Sequence, residues 1–149
     1  MSLPQSMPSL FGRFTAILKD HEHLGTTLRE LKALCGALEA GQQERLPELQ
    51  PQRLLMALKA GLSHHFGAEE SEAYFGTVVT EDPALEPEIA ALKAEHAAML
   101  AAVELLLRLT EDPGRWLHLL APTRALVLQL ERHEGAESKL LRDFFFSKT

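Results

Sequence analysis

Four stretches of this chain repeat apolar residues at intervals of three, four and seven, the spacing of one helical face, and a histidine stands inside each stripe. The first stripe is Phe14, Ile17, His21, Leu24, Leu28, Leu31, Leu34 and Leu38. The second is Leu54, Leu55, Leu58, Leu62 and His65, and the third Ile89, Leu92, His96, Met99, Val103 and Leu106. The fourth is Leu126, Leu130, His133, Glu137, Leu140, Leu141 and Phe144. Helices of this kind must bury their stripes, and four of them do so by packing on one another. The pattern predicts an all-α fold, an antiparallel up-and-down four-helix bundle with helices near 9–40, 51–75, 86–110 and 116–145.

Local signals set those limits. Ser9 after Pro8 reads as an N-cap and Gly41 as a stop, while Pro51 suits a first helical turn. The stretch 76–87 holds two prolines, three acids and the β-branched run Thr77-Val78-Val79-Thr80; with no partner strand elsewhere it reads as a connection. Asp112-Pro113-Gly114 is a turn signal, and Pro122 is expected to bend the fourth helix.

A length of 149 residues suits a single domain over 1–149. A net charge of −6 gives no footprint for nucleic acid or an anionic membrane, and no apolar run approaches the roughly 20 residues of a membrane span. Residues 1–10 show neither a basic nor an apolar segment of a secretory signal. Cys35 is the only cysteine, which excludes an internal disulfide and a multi-cysteine zinc or iron–sulfur site and fits a cytoplasmic setting.

Chemistry enters through a repeat. His65-Phe66-Gly67-Ala68-Glu69 returns as His133-Glu134-Gly135-Ala136-Glu137. Positions i and i+4 share one helical face, so each copy aims an imidazole and a carboxylate at the same region. His21 and His96 stand in matching contexts, each with apolar residues four before, three after and seven after. The chain thus reads as two related halves, each contributing a lone histidine and a His–Glu pair. A single such pair is most often a surface salt link. Six groups placed symmetrically on four core faces would be costly to bury without a cation. Four imidazoles and two carboxylates suit two first-row metal ions bridged by the carboxylates. Gly67 and Gly135, each costing about 1 kcal/mol against alanine in a helix, suggest a close backbone approach or room kept beside the metals.

The order His21, His65-x-x-x-Glu69, His96, His133-x-x-x-Glu137 resembles the hemerythrin-like (HHE cation-binding) domains. The flanks Asp20-His21, Glu69-Glu70 and Glu95-His96 agree with it, and the resemblance spans residues 10–146. It implies a bundle holding two non-haem iron ions, with His21 and His65 on one, His96 and His133 on the other, and Glu69 and Glu137 bridging, with room for an oxo bridge. One departure stands out. Oxygen-carrying hemerythrins place a second histidine one turn from the first on the third helix, whereas this chain has Leu92 and Leu100 there. The ligand set is more similar to bacterial di-iron proteins associated with repair of iron centres under nitrosative stress. Those carry a cysteine-containing N-terminal region that this sequence does not show.

Counting ligands leaves a place on each iron. That favours a protein acting on or sensing O₂, peroxide or NO, or handling iron, with a small-molecule ligand and a redox partner. The alternatives are a reversible O₂-binding or iron-storage module without catalysis, and a regulatory bundle with a zinc or mononuclear site. Among the remaining polar residues, His23 and His64 are expected near solvent, and His118 lies about 22 Å along a helix from His133. Glu70 is a substitute ligand or a carboxylate behind the ligands, with the latter favoured; Glu72 and Glu95 read as solvated or supporting groups. Tyr74 falls about 180° round an unbroken helix from His65 and is expected to pack away from the centre. Met99 and Cys35 read as core, and Phe144-Phe145-Phe146 as a cap on the bundle end.

Overall fold

The computed structural model describes residues 6–147, with side chains over 11–146. The described residues are helical almost throughout, with no strand among them. Four long helices, α1 (Ser6–Glu39), α3 (Pro51–Glu69), α5 (Glu86–Thr110) and α6 (Leu120–Ser147), are joined through the short helices α2 (Leu46–Leu49) and α4 (Thr77–Glu81) and several tight turns. The long helices pack in a closed ring: α1 on α3, α3 on α5, α5 on α6 and α6 on α1. No described helix is long and apolar enough to cross a membrane.

The stripes face inward as the periodicity requires. Every apolar stripe residue named above is buried except Leu140, which is half-buried. They form two clusters. One gathers Leu24, Leu28, Leu58, Leu62, Phe66, Met99, Val103 and Leu130 with their neighbours. The other gathers Phe14, Ile17, Tyr74, Phe75, Leu92, Leu141, Phe144 and Phe145 with theirs. On α1, α5 and α6 the histidine and glutamate positions fall between the two sets, and on α3 they lie at its C-terminal end, with Tyr74 and Phe75 of the second set beyond it. Polar groups there are enclosed by hydrocarbon on both sides, where an unmet charge is expensive.

The ends of the elements explain where the chain departs from simple periodicity. Gly41 adopts φ 71° and ends α1, and the Gln42 N–H donates to the Ala37 carbonyl at 2.8 Å. This is the left-handed stop that glycine permits cheaply. At its other end α1 already runs from Ser6, so Ser9 is not its cap; residues 1–5 and the side chains of 6–10 lie outside the described residues. Pro122 needs no bend. α6 starts at Leu120, so the proline sits in the first turn, where an N–H has no helical partner to lose. The preceding residues Pro113–Leu119 form a 3₁₀ segment, opened by the Asp112 carboxylate accepting from the Gly114 N–H at 2.9 Å.

The second long helix is shorter than its pattern. It ends at Glu69, Ser71 turns extended (ψ 155°), and Glu72–Gly76 forms a π turn before α4. The segment 76–87 is a helical connection. The break has a packing consequence. Past Ser71 the chain no longer continues the phase of α3. The π turn buries both Tyr74 and Phe75.

Candidate metal centre

Each of the six candidate ligands is carried on a long helix: His21 on α1, His65 and Glu69 on α3, His96 on α5, and His133 and Glu137 on α6. The fold brings all six together. They fall into two groups, His21, His65, Glu69 and Glu137 in one and Glu69, His96, His133 and Glu137 in the other. Within each group the ligand atoms lie within 4.8 Å of one another. Glu69 and Glu137 belong to both groups, as bridging carboxylates would.

The imidazoles present Nε2 to this space. His65 Nε2 lies 3.4 Å and His96 Nε2 3.3 Å from Glu69 Oε1. His21 Nε2 lies 3.7 Å from Glu137 Oε1, and His133 Nε2 3.3 Å from Glu137 Oε2. The Nε2 atoms of His21 and His65 face each other at 2.9 Å. Behind the rings stand carboxylates. His133 Nδ1 donates to Glu95 at 2.7 Å and His96 Nδ1 to Glu70 at 2.8 Å, while Asp20 lies 3.6 Å from His65 Nδ1. A carboxylate at Nδ1 holds the tautomer whose lone pair is on Nε2 and turns it inward. Glu70 therefore stands behind His96, and Glu95 behind His133.

Electrostatics suit a cation. Both oxygens of Glu69 and of Glu137, Nε2 of His96 and His133, and Nδ1 of His65 are buried without a hydrogen-bond partner. Burial raises the Glu69 carboxyl to about 6 against an opposing pull from His96. Burial is also the main cause that lowers His21, His65 and His133; for His65 the neighbouring His21 adds to it, and for His21 His133 does. Neutral imidazole is the form that can ligate a metal. These buried His and Glu groups could hold a metal ion.

Three contributors were not legible as such in the sequence. Phe66, the variable residue of the first repeat, stacks on His96 with ring centroids 3.8 Å apart and planes 6° from parallel. Glu134, its counterpart in the second repeat, has an oxygen buried without a partner; burial first, then Glu69 and Glu131, push its carboxyl up to about 7. Asp20 was visible only as a flank. The differing second letter of the repeat was the signal for the first two.

Other expectations are settled by placement. His23, His64 and His118 are exposed, Met99 and Cys35 are buried, and of the three terminal phenylalanines only Phe146 is exposed. Tyr74 does not lie where an unbroken helix would put it. Past the break at Ser71 it is fully buried, stacked on Phe75, which in turn stacks on His96 at 6.1 Å. Its hydroxyl has no partner, and burial, aided by Glu69, raises its pKa. The glycine expectation fails: a Cβ at Gly67 or Gly135 would meet nothing within 4 Å, and both residues face solvent. No backbone approach requires them.

No protein-family model, curated protein or solved structure matches this chain. The site therefore stands on its own geometry. A solvent-open cleft of about 500 Å³, lined in part by Gln129, Arg132, Ala136 and Glu95, reaches His133. His133 Nδ1 is engaged by Glu95, and its Nε2 is buried.

Proposed function

We propose that this chain is a hemerythrin-like antiparallel four-helix bundle that binds two iron ions and acts on O₂, peroxide or NO, or handles iron. One observation carries the reading. Four imidazoles and two carboxylates converge into two overlapping groups that share both carboxylates, with the carboxylate oxygens otherwise unpartnered. An antiparallel arrangement is supported by the ring of contacts, in which consecutive long helices pack together through short links.

In this reading His21 and His65 hold one ion, His96 and His133 the other, and Glu69 and Glu137 span both. The chain then supplies two nitrogens and two bridging oxygens to each ion, fewer than a six-coordinate ion accepts. The bound irons supply a reversible one-electron couple and open positions for a small ligand. The protein's own contributions are distinct. Glu70 and Glu95 orient imidazoles by hydrogen bonds, Asp20 stands 3.6 Å behind His65, Phe66 and Phe75 stack beside His96, and the two apolar clusters enclose the buried ligands. The absence of a further histidine at Leu92 or Leu100 supports reactive or iron-handling chemistry over simple O₂ carriage.

Rapid mixing of the anaerobic ferrous protein with O₂, hydrogen peroxide and NO in turn tests this. Oxidation that is not reversed on removing the ligand, or conversion of NO, supports the proposal. A stable spectrum with O₂ that reverses under vacuum points to a carrier, and a protein that takes up zinc but no iron contradicts the reading.

A further inference from the structure

We propose that the two metal positions are unequal by construction: the ion held by His21 and His65 is the exchangeable one, and the ion held by His96 and His133 is retained. This rests on the two-metal reading above and adds to it which ion leaves and re-enters.

The internal repeat allows each supporting contact to be compared with its counterpart. Matching the two halves pairs His21 with His96, His65 with His133, Glu69 with Glu137, and Asp20 with Glu95. The acid before each lone histidine faces the paired histidine, but not equally: Glu95 hydrogen-bonds His133 at 2.7 Å, whereas Asp20 stays 3.6 Å from His65, whose buried Nδ1 has no hydrogen-bond partner.

At the remaining histidines the symmetry fails twice, and both failures fall on His21. His96 is held from behind by Glu70, which follows the bridging Glu69. The residue that follows the bridging Glu137 is Ser138, too short to reach across as a glutamate does. None of the hydrogen bonds or ion pairs found among the described residues reaches His21 Nδ1. Glu70 keeps right-handed helical angles (φ −78°, ψ −2°), as Ser138 does inside α6.

The second failure concerns the ring face. His96 is clamped by Phe66 at 3.8 Å, but the equivalent of Phe66 is Glu134. The only ring found against His21 among the described residues is His65, edge-on at 4.7 Å. Exposure follows the same order. The His21 side chain is 13% exposed, against 3% for His65, 1% for His96 and 2% for His133.

A ligand without an orienting partner loses affinity, because its ring must be ordered when the metal binds; loss of such partners typically costs 10–100-fold. A ligand open to water also offers a competing chelator a way in. His21 is thus the hinge of exchange, and Ser138 is the residue that keeps it loose.

The test loads metal-free protein with Co(II), whose visible bands report each site, and follows its removal by a chromogenic chelator. The wild type should lose two ions in two phases at least tenfold apart in rate. Ser138→Glu should slow the fast phase about tenfold or more, and Glu70→Ser should speed the slow one. His21→Ala should retain one slowly released ion, and His96→Ala one quickly released ion. Helical circular dichroism of each metal-free variant identifies any that fails to fold. Single-phase loss of two ions, or Ser138→Glu and Glu70→Ser both without effect, overturns the inequality and leaves the two-metal reading standing. Fewer than two ions bound by the folded wild type overturns the reading beneath it.

Discussion

Replacing Glu69 by glutamine should stabilise the metal-free protein and destabilise the metal-loaded one. Glu69 is fully buried, and neither of its oxygens has a hydrogen-bond partner. Burial raises its carboxyl from the ordinary 4.5 to about 6. At about 1.36 kcal/mol per factor of ten, holding this group ionised costs the folded state about 2 kcal/mol. The sign follows from the direction. A raised carboxyl leaves stability intact below pH 4.5 and removes it as pH rises through about 6. Glutamine has nearly the same shape and never carries the charge. Glu69→Gln should therefore exceed the wild type by under about 1 kcal/mol at pH 5 and by about 2 kcal/mol at pH 8, a rise in Tm of roughly 4–8 °C. Saturating metal reverses the order, because an amide oxygen bridges cations less well than a carboxylate. Free ion at a hundred times Kd stabilises the wild type by about 2.7 kcal/mol per site. Urea or thermal unfolding of chelator-treated and metal-loaded protein at the two pH values reads all four cases. A metal-free Glu69→Gln less stable than wild type at pH 8, or a gap independent of pH, would show that the buried carboxylate carries no such cost.

Two further outcomes follow from the packing. Gly67→Ala and Gly135→Ala should each add about 0.5–1 kcal/mol in urea unfolding with metal content unchanged, since a Cβ there enters open space; loss of metal would show that the glycines keep room after all. Cys35 is buried and its thiol is pushed up by that burial, so a thiol-specific chromogenic reagent should label native protein at least about tenfold more slowly than urea-unfolded protein; equal rates would place the thiol at the surface.

The sequence carried the helices and the six converging side chains because both depend on period. An apolar stripe with a histidine in register stays in register when the helix packs, and a repeated His-x-Gly-Ala-Glu fixes the same offset twice. What escaped depended on breaks in that period. The apolar pattern through Phe75 runs past Ser71, where the chain leaves the helix, so Tyr74 packs in the core as expected but not at the angle an unbroken helix gives. Pro122 looked like an interior residue because the 3₁₀ segment Pro113–Leu119 has no clear apolar signature. The roles of Asp20, Phe66 and Glu134 were hidden for another reason. A carboxylate behind an imidazole on a neighbouring helix, or a ring stacked across the core, is a contact between helices, and spacing along one helix does not encode it. The glycines misled because a helix-weakening residue in both repeats suggests a tight contact, whereas both face open solvent.

The proposed centre is a pair of metal ions held by both halves of the chain. Metal-free protein loaded anaerobically with Fe(II), cleared of unbound ion and analysed by elemental mass spectrometry tests it most directly. Two irons per chain are predicted, with Glu69→Ala and Glu137→Ala each losing the second. A folded wild type that holds no iron, or two irons retained in both variants, would contradict it.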